Sequence, residues 1–503
     1  MLEYLRASAA RFPDKLAFSD ELTALTFSDL NSHASALGTH IAAQTGFVNR
    51  PVAVLVEPTA KTLACFMGVL YSGNYYVPID SQMPELRIRG ILQRLNPLFL
   101  IHSEKTRPLA ESLCDVCPIM ADETGFSAAP DYTLLDARRG KVLDVDPVYV
   151  IFTSGSTGVP KGSVLSHRSI IDFIEWMSNA FGFTSDDIMA NQAPFFFDLS
   201  VKDVYLTLKC GATTHIIPKR LFMSPLRLLE FLDEKNVTSL IWATAGFHLL
   251  ANSGGLEKCQ PKSLKNIMLG GETLHAKQLN IWRRALPNVR YVNLYGPTEA
   301  AVNCAYYVID REYQDHEPIP IGRACENTEI LLLDDRLRPV PPGTPGEICV
   351  RGIGIARGYY DEPEKTAAVF VQNPLNTHYP ELIYRTGDMA YINDEDLMVF
   401  SIRRDGQIKH MGYRVELGEI EINLAALPEI GEVACFFDRE RDKIICAYAG
   451  QIASEDIIPR VRDRLPKYMF PNIFRHMESL PRTPNGKIDR VKLKEDYFSE
   501  MGQ

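Results

Sequence analysis

The stretch Tyr149-Val150-Ile151-Phe152-Thr153-Ser154-Gly155-Ser156-Thr157-Gly158-Val159-Pro160-Lys161-Gly162 runs from an apolar strand-like segment into a loop of three glycines, four hydroxyls and one lysine. These residue types suit phosphate: glycines let backbone N–H groups converge on the oxygens, hydroxyls add donors, and the lysine adds charge. The spacing departs from the Walker A pattern, G-x-x-x-x-G-K-[ST]. A Ser/Thr/Gly-rich turn alone is more often a linker; the strand before it and the single lysine favour a site.

Asn293-Leu294-Tyr295-Gly296-Pro297-Thr298-Glu299 puts an aromatic ring, a tight turn, a hydroxyl and a carboxylate side by side. A nucleotide has a use for each, since a ring can pack on a base and the Mg2+ of its phosphates takes a hard oxygen ligand. Tyr384-Arg385-Thr386-Gly387-Asp388 places an acid after a turn, where it can accept from both ribose hydroxyls. Phe195-Phe196-Phe197-Asp198-Leu199-Ser200-Val201 is an aromatic run ending in one carboxylate, which also reads as an edge strand followed by a helix N-cap. Each motif alone is equally well an exposed turn.

The elements that would carry these residues are legible. Val52 to Val56 reads as a strand, Lys61 to Tyr71 as a helix and Tyr75 to Ile79 as a second strand. The same βαβ rhythm returns in Thr213 to Ile217, Pro225 to Glu234, Ser239 to Trp242 and Asn266 to Leu269, so a parallel α/β core is expected. After Ile321 the pattern changes to short β pieces with Pro and Gly turns, Glu329 to Leu333 and Gly346 to Arg351. A charged break at Arg403-Arg404-Asp405-Gly406 precedes a fresh α/β pattern and marks the main boundary.

Composition narrows the class. With 503 residues, 46% apolar and 23% charged, the chain has room for several domains and for large cores. A net charge of −10 argues against a broad nucleic-acid-binding face. Nothing resembles a signal peptide or an apolar run of about 18 residues, so a cytoplasmic protein with no membrane insertion is expected. The ten cysteines are scattered, mostly in apolar runs, and Cys114-Asp115-Val116-Cys117 lacks the second pair a zinc site needs.

Together with Arg414-Val415-Glu416-Leu417-Gly418-Glu419-Ile420-Glu421 and Pro484-Asn485-Gly486-Lys487-Ile488-Asp489-Arg490, these segments resemble, in order and spacing, the adenylate-forming (acyl-activating) enzyme superfamily. The resemblance covers essentially the whole chain and is strongest to amino-acid adenylation domains of nonribosomal peptide synthetases and to stand-alone D-alanine:carrier-protein ligases. It implies a large N-terminal domain of parallel α/β subdomains plus a small β subdomain, residues 1–404, and a smaller mobile α+β C-terminal domain, residues 405–503. It implies ATP and Mg2+, attack of a carboxylate on the α-phosphate with release of pyrophosphate, and transfer of the acyl group to a thiol. Thr153, Ser154, Gly155, Ser156, Thr157, Gly158 and Lys161 would hold phosphates, and Glu299 the Mg2+. Gly271, Glu272, Asn293, Tyr295, Gly296, Thr298, Asp388 and Arg403 would complete the nucleotide site. Lys487 would be the catalytic lysine, Asp405 the hinge, and Gly412 would face the site in the thiol-transfer pose. Ile402 departs from the glycine usual in the family two residues before Arg404.

On the substrate side, the resemblance pairs Asp198 with an α-ammonium, which favours an amino acid over the fatty or aryl acid of a CoA ligase. Leu199, Lys202, Trp242, Leu269, Gly270, Leu294, Val302 and Asn303 would line a compact pocket for a small amino acid. Leu199 and Trp242 favour D-alanine. Gly270, where those ligases usually carry cysteine, and Lys202, where a neutral residue is usual, disagree, leaving L-proline, L-alanine, serine or an acidic residue open. Lys202 would point to solvent or meet a polar side chain. The chain ends soon after Lys487, so the expected acceptor is a separate phosphopantetheinylated carrier protein, with free coenzyme A the alternative, and the enzyme is expected to be a monomer. The rival readings are an acyl- or aryl-CoA ligase and a catalytically silent binding protein of the same fold.

Overall fold

The fully buried strand Pro51–Val56 leads through the helix Ala60–Tyr71 to the parallel strand Tyr75–Asp80, the βαβ unit expected from sequence. Thr59 caps the helix by accepting from the Thr62 N–H, and nearly every helical residue is buried, as an all-round apolar helix requires. Gly73, at φ +82°, turns the chain from helix to strand. These strands lie in a six-stranded sheet in the order Ile119–Ala121, Leu100–His102, Pro51–Val56, Tyr75–Asp80, Pro147–Thr153, Lys161–Ser166.

This computed structural model describes residues 1–155, 160–403, 407–439, 441–483 and 488–501. Two compact units are present: Met1–Ser81 with Leu92–Ile151 and Gly162–Ile402, and Gln82–Ile91 with Phe152–Lys161 and Arg403–Gln503. The protein is thus mixed α/β, with a large N-terminal part and a smaller C-terminal one. Among the described residues no helix is long and apolar enough to cross a membrane.

The first unit also holds a nine-stranded sheet, in the order Arg323–Ala324, Ala305–Val308, Arg290–Tyr295, Asn266–Gly270, Ser239–Ala243, Ile188–Asn191, Thr213–Ile216, Leu16–Ser19, Ala24–Thr26. Its middle is parallel, as expected, but both edges are antiparallel. The connection at residues 296–304 is too short for a crossover helix, so Ala305–Val308 must return antiparallel beside Arg290–Tyr295. A five-stranded antiparallel sheet contains Thr328–Leu333, Gly346–Gly352, Leu382–Ile392, Phe370–Gln372 and Met398–Arg403. Its Ile348, Val350, Ala390 and Met398 pack in one core with Tyr295, Ala300 and Ala305.

In the second unit, the hairpin Gln407–His410 and Tyr413–Glu416 precedes the helix Leu417–Ala425. The strands Ile430–Asp438, Lys443–Gly450 and Ile473–His476 form a three-stranded sheet, and Ser454–Val461 and Arg490–Met501 are helical. Val415, Ile420, Leu424, Cys446 and Tyr448 form its core. Cys114 and Cys117 are free thiols, one exposed and one buried, and no metal-ligating cluster exists among the described residues.

Trp242 ties two strands of the large sheet: fully buried, it donates from Nε1 to the Ala190 carbonyl at 2.7 Å. Trp242→Phe withdraws that donor and opens a cavity, a loss expected to be about 2–4 kcal/mol. A denaturant midpoint unchanged from the parent protein would contradict this placement of the indole.

Candidate active site

Asp388 stands on a bulge built by its neighbours. Gly346–Gly352 pairs with Leu382–Ile392, but the register slips: Glu347 faces Met389, whereas Cys349 faces Arg385, so Thr386, Gly387 and Asp388 are pushed out of the ladder. Glu347 braces the bulge, taking the Arg385 guanidinium at 2.6 Å on one oxygen and the Gly387 N–H at 3.1 Å on the other. Thr386 Oγ1 donates to the Ile348 carbonyl and accepts from the Asp388 N–H at 3.0 Å. Gly387 sits at φ +76°, which a side chain would oppose.

Tyr295, at the end of the strand Arg290–Tyr295, donates its hydroxyl to Asp388 Oδ2 at 2.7 Å. Burial, reinforced by the Asp388 charge, holds this phenol well above its usual pKa, so it remains a donor. The two residues expected at base and ribose are therefore in direct contact. Asn293 belongs to the same strand, but its Nδ2 donates to the Pro320 carbonyl at 2.8 Å, so that nitrogen braces the strand.

Glu299 is fully buried and accepts from the Tyr359 hydroxyl at 2.8 Å, while its carbonyl accepts from the Ala356 N–H. Thr298 beside it is buried too. An oriented carboxylate of this kind fits Mg2+, which binds through one or two carboxylates plus substrate phosphates. Neither Tyr359 nor Glu347 was signalled by sequence, because each acts on a residue some forty to sixty positions away.

Of the phosphate loop, Ser156, Thr157 and Gly158 lie outside the described residues, as do Asp405 and Lys487. Within the second unit, Ser154 Oγ donates to the Arg414 carbonyl at 2.6 Å, and buried Thr153 Oγ1 has no hydrogen-bond partner among the described residues. Glu419, from the Arg414–Glu421 motif, is buried against Arg87 and takes the Gly155 N–H. Burial raises its pKa, while the Arg87 charge and these hydrogen bonds pull it down. Lys161 and Arg403 are described and lie in the same unit.

Only some of the expected substrate residues in the first unit come together: Lys202, Asn303, Gly270 and Leu294 do. Asp198 precedes the helix Ser200–Cys210 by two residues, and Leu199, not Asp198, occupies its N-cap. The Phe195–Val201 run is a turn entering a helix, not an edge strand. The Asp198 charge acts on the buried Tyr149 hydroxyl, which has no hydrogen-bond partner among the described residues. Lys202 does not point to solvent; it is fully buried and its Nζ donates to Asn303 Oδ1 at 3.1 Å. Leu294 and Val302 pack in one core, but Trp242 and Leu269 do not line a pocket with them: Leu269 stands opposite Asn293 in the parallel ladder, so it and its partner Trp242 face the other side of the sheet from Leu294 and pack in a different core. A Cβ on Gly270 would lie 3.1 Å from the Leu294 carbonyl oxygen and 3.6 Å from Asn303 Nδ2, and one on Gly271 would lie 3.5 Å from Leu199 Cδ1. Gly271 is at φ +95°, and the Glu272 carbonyl accepts from Thr244 Oγ1.

The turn presenting Asn303 is strained. The Asn303 N–H donates to the Ala301 carbonyl at 2.9 Å across Val302, which sits at φ +74°, a γ-turn centred on a β-branched residue. Such a conformation costs about 1–3 kcal/mol and persists only where its surroundings impose it.

Asp203, next to Lys202, is fully buried; Oδ2 accepts from Asn191 Nδ2 at 2.8 Å and Oδ1 has no hydrogen-bond partner among the described residues. Burial pushes its pKa up to about 7 against the pull of Asn191 and Lys202. Between about pH 4 and 7 the folded protein therefore keeps a proton that the unfolded chain has released, and stability falls as pH rises through that window. Asp203→Asn removes this loss. The Tm advantage of the variant is expected to grow from about pH 5 to pH 7; an advantage independent of pH would refute the assignment.

Comparison with known proteins agrees with this geometry. The AMP-binding enzyme profile matches residues 5–360, and the AMP-binding enzyme C-terminal domain profile matches residues 419–487. The chain is 32% identical to Tyrocidine synthase 1 of Brevibacillus parabrevis over 97% of its own length but only 44% of that protein's. It is 30% identical to Zwittermicin A synthase ZmaJ of Bacillus cereus, covering 96% of this chain and 92% of that one. Among solved structures, PA1221, an NRPS protein containing adenylation and PCP domains, superposes with a TM-score of 0.83 at 25% identity over 99% of this chain and 97% of that one. The chain belongs to the AMP-binding enzyme family.

Proposed function

We propose that this protein activates an amino acid as its aminoacyl adenylate, releasing pyrophosphate, and passes it to the phosphopantetheine thiol of a carrier protein. Adenylation builds negative charge on the α-phosphate and on the departing pyrophosphate, so the protein's task is to position and to stabilise charge. Tyr295 would lie against the adenine while its hydroxyl fixes Asp388 for the ribose. Thr153 to Lys161 would hold phosphates. Mg2+, held by Glu299 and the phosphates, would supply charge neutralisation. The resemblance gives Lys487 the cation that promotes adenylation and Asp405 the hinge.

The observation that carries an amino acid over another carboxylic acid is Asp198, a half-buried carboxylate two residues before the helix Ser200–Cys210. A carboxylate at this place can pair with the α-ammonium of an amino acid, a group that a fatty or aryl acid lacks. The similarity to Tyrocidine synthase 1 and to PA1221 supports the same reading, and PA1221, which contains both adenylation and PCP domains, supports a carrier protein as acceptor. On the resemblance a small amino acid is favoured, D-alanine first.

Amino-acid-dependent ATP–pyrophosphate exchange tests this reading. One amino acid or a narrow group is expected to support exchange, and Asp198→Ala and Lys487→Ala to reduce it by at least about 100-fold. Exchange driven by fatty or aryl acids and indifferent to Asp198→Ala would make the protein a CoA ligase instead.

A further inference from the structure

The phosphate loop already holds an anion of the protein's own, and the inference drawn from it rests on the reading above that this loop holds the phosphates of ATP. Gln82–Ile91, Phe152–Lys161 and Arg403–Gln503 form one compact unit, so the start of the helix Glu85–Leu95, the loop and the helix Leu417–Ala425 all belong to it. Glu419, in the first turn of Leu417–Ala425, is fully buried; it takes the Arg87 guanidinium and accepts from the Gly155 N–H. The preceding loop residue, Ser154, donates from Oγ to the Arg414 carbonyl at 2.6 Å. Two consecutive residues of the loop thus commit donors to the segment that carries Arg414 and Glu419.

A guanidinium and a loop N–H converging on one acid are the donors that recognise phosphate oxygens. Glu419 satisfies them incompletely. Its own Oε2, Arg87 Nε and Thr153 Oγ1 of the same loop are all buried with no hydrogen-bond partner among the described residues. A phosphate group brings three acceptor oxygens and a larger charge where the carboxylate brings two. Two anions cannot share the Gly155 N–H and the guanidinium, because like charges at that distance exclude each other.

We propose that Arg87 is a further phosphate-binding residue, and that Glu419 is an internal competitor that holds the seat formed by Arg87 and the Gly155 N–H until a phosphate group of ATP or pyrophosphate displaces it. Glu419 leaves the seat when the nucleotide enters and returns to it when pyrophosphate departs. An ion pair that served only the fold would respond alike to the loss of either member, since each loss leaves the other charge buried and unpaired. A seat with a competitor responds in opposite directions: removing the Glu419 charge opens it, and removing the Arg87 charge weakens it.

The test is calorimetric titration of the full chain with MgATP and, separately, with magnesium pyrophosphate. Glu419→Gln is expected to tighten binding by about 10-fold, because an internal competitor lowers the apparent affinity by the fraction of molecules it closes. Arg87→Met is expected to weaken binding by about 10-fold or more, with Arg87→Lys recovering part of the loss. Opposite shifts for both ligands place the bound nucleotide in the seat, and opposite shifts for pyrophosphate alone place the leaving group there. Any pattern other than opposite shifts overturns the proposal and leaves adenylation standing. Should a variant fail to fold by circular dichroism, hydrogen exchange of the unaltered protein decides: saturating pyrophosphate is expected to speed exchange in residues 417–425, and unchanged or slower exchange there overturns the competition. Opposite shifts without ATP–pyrophosphate exchange for any carboxylic acid overturn the adenylation reading and leave the seat intact. Failure of the unaltered protein to bind either ligand overturns both.

Discussion

Gly296 and Asn303 pass so closely that a methyl on the glycine would lie 2.4 Å from the Asn303 Cα, and both halves of the site hang on that crossing. Tyr295 precedes it, Glu299 lies in the loop beyond it, and Val302 and Asn303 are on the return. The Cys304 N–H closes the loop on the Tyr295 carbonyl at 2.8 Å, where Tyr295 and Ala305 stand opposite each other in the antiparallel pair. One short connection therefore sets the distance from the candidate nucleotide residues to the candidate substrate residues. The positive φ angles at Ala301 and Val302 are the strain this compactness requires, offset by the sheets packed around it.

Four of the buried carboxylates meet two kinds of partner. Glu347 and Glu419 take guanidinium groups, Arg385 and Arg87, and shape the backbone around them. Asp388 and Glu299 instead accept from phenols, Tyr295 and Tyr359. A guanidinium offsets the charge it meets, whereas the Tyr295 phenol, held well above its usual pKa, stays protonated and orients Asp388 by donating to it. An oriented acceptor is what a ribose hydroxyl requires, which fits the part the resemblance gives Asp388.

The parallel strands, the small β sheet and the motif carboxylates were legible in the sequence because each depends on a local pattern: an apolar run, a Pro/Gly turn, or an acid after glycine. The antiparallel edges of the large sheet were not, since they follow from connection lengths that periodicity does not register. Lys202 was half legible. A lysine in a helix ordinarily faces water, and Asn303, which accepts from it, is about a hundred residues away in the sequence. The γ-turn at Val302 was hidden for the opposite reason: a β-branched residue argues against positive φ, and only the tertiary crossing at Gly296 overrides that preference. Tyr359 and Glu347 carried no signal, because their roles exist only across the sheet.

The helix Ser200–Cys210 shows how such a site can change its ligand without losing its frame. Lys202 and Asp203 are a step of about 100° apart on its first turn: Lys202 meets Asn303, and Asp203 meets Asn191 in the sheet. One turn thus buries an ammonium and a carboxylate side by side in the fold. The bonds that brace Asp388 and Glu299 are made elsewhere, by Glu347, Thr386 and Tyr359. Substitution at position 202 therefore alters the charge beside Asn303 without removing a partner of the Tyr295–Asp388 bond or of the Tyr359–Glu299 bond.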